Sequence, residues 1–216
     1  MKHALIMIGL VGAAAMPASA TINNGFFEDF DSGTGGFGFN PGQSSVEITN
    51  PGTGGVGGAG DGFLSVETTS NDQLAARAVN AQQYQGDYLA AGVTSISFWL
   101  RDLGQQDAAI IRVGLGARQG NFWVSNRSWD ATDDWQRFGV ELTDASQWTQ
   151  IIGSGSFEDA LRNADALQFR HAVLPDGRRP DSLAGSFGVD RIALVPAPSA
   201  VAGLLLAGGV MGGRRR

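Results

Sequence analysis

The sequence predicts an all-β, antiparallel sandwich or barrel carrying one short helix. Three observations lead there. Short segments of apolar/polar alternation recur along the chain, each closed by Gly, Asn, Asp or Pro, and a period of two marks a strand with one face on a core. Gly supplies 32 of 216 residues while 43% of the chain is hydrophobic, a composition that suits many tight turns around a real core and not long helices. One segment alone combines a helix cap with acidic residues in its first turn.

Taken in order, Val46-Glu47-Ile48-Thr49 alternates and runs into the turn Asn50-Pro51-Gly52. Residues 62–68 put Leu64 and Val66 on one face. Residues 94–100 align Ile96, Phe98 and Leu100 and leave Trp99 opposite. Ile111, Val113 and Leu115 share a face opposite Arg112. Residues 121–125 pair Phe122 with Val124 and leave Trp123 on the other side. Phe138, Val140 and Leu142 alternate, as do Leu167, Phe169, His171 and Val173, which makes His171 a core or edge residue. In the last strand Phe187 and Val189 share one parity and Ile192 and Leu194 the other. A bulge near Asp190 or Arg191 reconciles them. The helix covers 156–163: Ser156 caps it, and Asp159 three residues on completes a capping-box pattern. Residues 33–60 are Gly-rich, with Gly33-Thr34-Gly35-Gly36 echoed at Gly52-Thr53-Gly54-Gly55, and are expected to be flexible loop.

The two ends differ from this body. Lys2 and His3, an apolar run over 4–15 and Pro17-Ala18-Ser19-Ala20 form a signal peptide over residues 1–20, with the mature chain starting at Thr21. At the other end no charge falls between 192 and 213; Val195-Pro196-Ala197-Pro198-Ser199 opens the segment and Arg214-Arg215-Arg216 closes it. A helix over 199–213 is about 22 Å long against about 30 Å of hydrocarbon, so it spans by thinning the bilayer or snorkelling its arginines. The arginines hold that end in the cytoplasm. The chain therefore divides into a signal peptide (1–20), a β-sandwich (21–194) and a C-terminal segment (195–216).

That last segment, through Val195, Pro196, Pro198, Ser199 and the arginines 214–216, resembles the PEP-CTERM sorting signal of bacterial exported proteins, with Ala197 where that family has Glu. The resemblance implies an exosortase-like sorting enzyme as partner and membrane contact through 199–213 before processing. It also implies a final place on the outer surface or in an exopolysaccharide matrix.

Composition excludes several functions. There is no Cys and there are only 2 His, which removes disulfides, thiolate metal sites and Cys nucleophiles and leaves little for zinc or a Ser-His-Asp triad. Residues 21–194 hold all 21 acidic residues and 11 of the 15 basic ones, a formal charge of −10. That charge disfavours nucleic acid and anionic lipid. No G-x-S-x-G, H-E-x-x-H or P-loop occurs. Asp133-Asp134 and Glu158-Asp159 are sequence neighbours, not two carboxylates facing each other across a cleft. No enzyme is expected.

The body also resembles the jelly-roll sandwiches of carbohydrate-binding modules and laminin-B-like domains. The resemblance lies in Asn24-Gly25-Phe26-Phe27-Glu28, Gly60-Asp61-Gly62-Phe63-Leu64, Ile96-Ser97-Phe98-Trp99-Leu100 and Gly188-Val189-Asp190-Arg191-Ile192-Ala193-Leu194. In such modules the first and last strands meet and a structural Ca²⁺ often joins them. The resemblance thus implies a calcium site from Glu28 and Asp190, with Asn24 or Asp61; the other reading is a solvated acidic edge with Asp190 paired to an arginine. Sugar rings stack on aromatic faces, and of the five Trp the glycan candidates are Trp99, Trp123 and Trp129, with Arg127 and Asp130 beside the last. Trp135 and Trp148 are expected in the core. Three roles follow: a non-catalytic surface or matrix protein, a module binding an extracellular polysaccharide, or a glycoside-active enzyme.

Overall fold

The structure is a computed structural model that describes residues 22–38, 45–78, 81–104 and 108–198. Residues 1–20, read above as a signal peptide, and most of the segment read as tail, including Ser199 and Arg214, Arg215 and Arg216, lie outside them. In chain order the strands are β1 (Phe27–Glu28), β2 (Phe37–Gly38), β3 (Val46–Thr49), β4 (Leu64–Gln73), β5 (Ala75–Ala78), β6 (Val93–Asp102), β7 (Ile110–Ala117), β8 (Asn121–Ser125), β9 (Trp129–Asp130), β10 (Gln136–Glu141), β11 (Trp148–Gly153), β12 (Ala166–His171) and β13 (Ser182–Pro196). The helix α1 spans Phe157–Arg162, between β11 and β12.

Every pairing between these strands is antiparallel. They form two sheets. Sheet A runs β10-β6-β13-β4-β3, with β1 beside the end of β13; sheet B runs β11-β8-β7-β12-β5-β2, with β9 beside the start of β7. The fold is a jelly-roll-like β-sandwich with one short helix. Among the described residues no helix is long and apolar enough to cross a membrane.

The alternation seen in the sequence becomes the core between the sheets. Leu64, Val66, Ile96, Phe98 and Leu100 come from sheet A; Ile111, Val113, Leu115, Leu167 and Phe169 come from sheet B. Each side chain of this kind contributes about 1.5–3 kcal/mol by burial. An aromatic group joins the layers. The Phe98 ring lies 5.0 Å from that of Phe169 and 5.1 Å from that of Trp129, both edge-on, the arrangement that ring quadrupoles favour.

The bulge expected in the last strand is present. The pairing of β13 with β6 slips between Asp190 and Ala193, and Arg191 has φ 48°. The slip lets Phe187 and Val189 before it and Ile192 and Leu194 after it all reach the core. The helix is also as expected: the Ser156 side chain accepts from the Asp159 N–H and the Asp159 carboxylate accepts from the Ser156 N–H. His171 is buried, and its Nδ1 accepts the Ile110 N–H at 3.0 Å.

Other features differ from expectation. β5 reads Ala-Ala-Arg-Ala, residues with weak strand preference, and is a strand because it pairs with β12 and β2. The Gly-rich stretch after β3 is tied down and not loose. Gly54 N–H donates to Gly58 O, Gly55 N–H to Asp61 O, and Trp135 Nε1 reaches Gly54 O. Trp135 is therefore not a core residue. It stands half-buried on the outer face of sheet A, edge-on to Phe63 at 5.3 Å. Both rings need Gly188 beneath them, because a Cβ there would meet Trp135 at 2.8 Å. Trp148 is in the core. Val195 and Pro196 belong to β13 and pair with Ser95 and Val93, so the sheet continues two residues into the segment read as tail. At the same corner Gly25 N–H donates to Leu194 O and Leu194 N–H to Phe26 O.

Phe98→Ala should destabilise the protein by about 3–5 kcal/mol, since it empties the centre of the aromatic group. Urea unfolding measures this; a loss under about 1 kcal/mol would mean that Phe98 does not join the two sheets.

Candidate functional site

The three tryptophans named as glycan contacts fall in three different settings. Trp99 is on β6 with its side chain on the outer face of sheet A, opposite to Ile96, Phe98 and Leu100. It is half-buried and makes no ring–ring contact among the described residues. Its cross-strand neighbour is Arg137 on β10, whose Nη2 donates to Ser97 Oγ at 3.5 Å. An indole face, a guanidinium and a hydroxyl thus lie abreast near the sheet edge formed by β10.

Trp123 faces inward, contrary to the parity expected of it. It is paired with Leu115, lies 5.5 Å from the Phe157 ring, and donates Nε1–H to Asn121 Oδ1 at 2.7 Å. Phe122 and Val124 instead occupy the outer face of sheet B, where they cluster with Ala166 and with Ile151 and Ile152. Trp129 is not in an open loop. It is 3% exposed, because β9 pairs with β7 and turns the ring into the core against Phe98 and Phe138. Arg127 covers it, with Cζ 5.6 Å from the ring centroid. Arg127 and Asp130 are exposed, but the indole between them offers no face to a ligand.

The four residues named for calcium are not brought together. Asp190 is fully buried. Its Oδ2 accepts from Val56 N–H at 2.8 Å and its Oδ1 from Arg191 N–H at 2.6 Å. Asp61 stands nearby; its Oδ2 accepts from Gly57 N–H and lies 3.7 Å from Arg191 Nη2. Glu28 points elsewhere: β1 does pair with β13, but the Glu28 carboxylate caps Phe30 N–H at 3.0 Å. Asn24 is exposed in the turn before β1. Among the described residues no three His, Asp or Glu side chains gather as a metal would need. Amide N–H groups hold both Asp190 oxygens and one oxygen each of Asp61 and Glu28, and the four residues do not converge, so as placed they do not supply the six to eight oxygens that Ca²⁺ takes. The arginine partner that the other reading expected is found at Asp61.

Burial pushes the Asp190 carboxyl up to about 6; the two N–H donors oppose this and the Asp61 charge adds to it. Glu28 is raised by burial too, against the pull of the Phe30 N–H. A buried carboxylate therefore sits at the bulge and is linked to the Gly-rich loop by Val56.

Sequence reading also missed a set of residues on the outer face of sheet B. Arg112, Arg170 and Arg77 stand on β7, β12 and β5, three adjacent strands, and all project to that face. They are dispersed in the sequence, and only strand register unites them.

No protein-family model matches the chain, and no curated protein matches it. Solved structures do. The family 11 carbohydrate-binding module from Clostridium thermocellum, in complex with a β-1,3-1,4-mixed-linked tetrasaccharide, matches with TM-score 0.54 at 18% identity over 82% of this chain and 98% of that one. The solution structure of CtCBM11 matches with TM-score 0.56 at 20% identity over 85% of this chain and 100% of that one. An exo-β-agarase matches with TM-score 0.54 at 13% identity, over 82% of this chain but 25% of that one. At these identities the likeness is one of fold.

The Asp190 pKa lies above that of an exposed aspartate, so the folded state binds this proton more tightly than the unfolded state. The stability this supplies is fully present below pH about 4 and is lost as pH rises through about 6. The stability difference between wild type and Asp190→Asn should therefore fall by about 2–3 kcal/mol between pH 4 and 7. Urea unfolding at the two pH values measures it; a pH-independent difference would show the carboxylate to be hydrated.

Proposed function

We propose that the β-sandwich is a non-catalytic module that binds an extracellular polysaccharide, with Trp99 as its stacking platform. One observation carries this reading. Trp99 alone of the three candidate indoles combines an outward position, no ring partner and adjacent hydrogen-bonding side chains, Arg137 and Ser97. A pyranose stacked on that indole would have its hydroxyls within reach of a guanidinium and a hydroxyl. The fold likeness supports binding over a purely structural surface role. The modules that match do so over nearly their whole length, one of them with a bound tetrasaccharide, whereas the agarase is matched over a quarter of its length. That asymmetry also favours binding over turnover.

The same proposal includes export. A signal peptide over 1–20 would carry the module out of the cytosol. The tail ending in Arg214-Arg215-Arg216 would engage an exosortase-like enzyme and the membrane through 199–213, placing the module on the surface or in matrix. Val195 and Pro196, at the end of β13, then connect cargo to tail without a long linker.

Native affinity electrophoresis in mixed-linked β-1,3-1,4-glucan tests the binding. Wild type should be retarded, and Trp99→Ala should bind at least about tenfold more weakly with an unchanged melting temperature. Equal migration of the two, or no retardation of wild type, would reject Trp99 as a platform for this glucan. For export, intact-mass measurement of surface-released protein should show a chain beginning at Thr21 and lacking the three terminal arginines; finding them retained would argue against processing.

A further inference from the structure

The outer face of sheet B carries unpaired positive charge that the fold does not explain and the Trp99 reading does not use. Arg112 and Arg170 are direct cross-strand partners on β7 and β12. Arg77, on β5, is opposite Gln168, the next residue along β12 on the same face as Arg170. Like charges side by side in a sheet are destabilising. Burial brings the Arg170 guanidinium down to about 10; Asp181 opposes this, while Arg77 and Arg112 add to it. All three remain charged at neutral pH.

The chain neutralises this row only in part. Arg112 is fully engaged: Nε donates to Ala172 O, Nη1 to Ser125 O and Asn126 O, and Nη2 to Val173 O. It acts as a latch between two loops. Arg170 is 1% exposed, and its Nη2 donates to Gly177 O and Arg179 O, but its Nε is buried without an acceptor. Arg77 is half-buried; its Nε also lacks an acceptor, and its side chain makes no hydrogen bond and no ion pair among the described residues. The nearby carboxylates are engaged elsewhere. Asp165 is 3.8 Å from Arg118, and Asp181 accepts from Val173 N–H. Each buried donor without an acceptor is destabilising. Two such guanidinium donors persist among the described residues, beside Trp129 Nε1 and the Tyr84 and Ser186 hydroxyls, in a body that has 21 carboxylates and a formal charge of −10.

The surroundings suit a polymer more than a small ion. Phe122, Val124 and Ala166, next to the arginines on the same side of sheet B, are buried with Arg112 and Arg170, so of the arginine row only Arg77 is open to a ligand. At the end of β12, the loop held by Arg170 displays Arg178 and Arg179 to solvent. Positive charge is therefore presented at half-buried Arg77 and on the rim loop, while Arg112 and Arg170 lie buried.

We propose that the accessible rim of this face binds an anionic polysaccharide, with Arg77 meeting its acidic substituent and buried Arg170 reinforcing the charge behind it. The planar fork of Arg77 is suited to a carboxylate or a sulfate. The proposal shares with the Trp99 reading only the polymer class; it uses a different face and a different chemistry.

The full mature chain is run by native affinity electrophoresis in polygalacturonate, dextran sulfate and unmodified dextran, with a single-stranded oligothymidylate as a further probe. Wild type should be retarded by one of the charged polysaccharides and not by dextran, and retardation should fall at about 0.5 M NaCl. Polygalacturonate retardation assigns a carboxylated ligand, and retardation by dextran sulfate alone a sulfated one. Arg77→Gln should weaken binding at least about tenfold while melting close to or above the wild-type temperature, since its guanidinium makes no hydrogen bond to lose and the pull of Asp165 is opposed by Arg118. Arg77→Lys, which keeps the charge but not the fork, should give an intermediate loss. Trp99→Ala should leave this binding intact, which separates the two sites. Wild-type binding to neither charged polysaccharide would overturn the proposal. So would full binding by Arg77→Gln, or equal retention of the oligothymidylate.

Discussion

The architecture depends on how one strand serves two registers. β13 lies at the middle of sheet A, bonded to β6 on one side and to β4 and then β1 on the other. A straight strand of fifteen residues would turn half of its apolar side chains to solvent. The bulge at Asp190–Arg191 restores them to the core, and it does so by burying a carboxylate and placing a non-glycine residue at positive φ. Both are unfavourable in isolation. They are held by the Gly-rich loop, whose amide N–H groups satisfy the Asp190 and Asp61 oxygens and which brings Trp135 and Phe63 together over the flat spot at Gly188. The loop, the bulge and the central strand are thus one structural unit.

Much of the sandwich was legible because its strands alternate strictly. The parity switch between Val189 and Ile192 even located the bulge, since no regular strand accommodates it. Alternation reports which residues share a face but not which face is inside, and β8 shows the consequence. Phe122 and Val124 look like core but form a cluster outside sheet B, while Trp123 faces inward because its partner across β7 is Leu115. Trp129 was misplaced for another reason: its neighbours Asn126, Arg127 and Asp130 are exposed, and only the two-residue pairing with β7 turns the ring inward. β5 was invisible because Ala and Arg carry no strand signal of their own.

The candidate site was legible in outline and not in detail. Trp99 could be read as outward-facing from its strand alone, whereas its neighbour Arg137 is supplied by the register with β10. The arginine row is likewise a product of pairing. The resemblance implied a cation at Glu28 and Asp190; the fold instead gives these carboxylates separate amide donors, and the guanidinium nitrogens of Arg77 and Arg170 are among the buried groups left unsatisfied. The two candidate surfaces lie on opposite outer faces of the sandwich and differ in character, one aromatic and neutral in its main contact, the other cationic.

The corner where β1 meets β13 has a mechanical consequence. The described chain begins and finishes at neighbouring points, with Phe27 beside Ala193 and the Gly25 and Leu194 amides bonded across. Tension between those points opens the short two-residue pair one bond after another, as a zip opens, and it yields first. Tension along the β13 axis instead falls on the whole row of bonds to β6, which share the load.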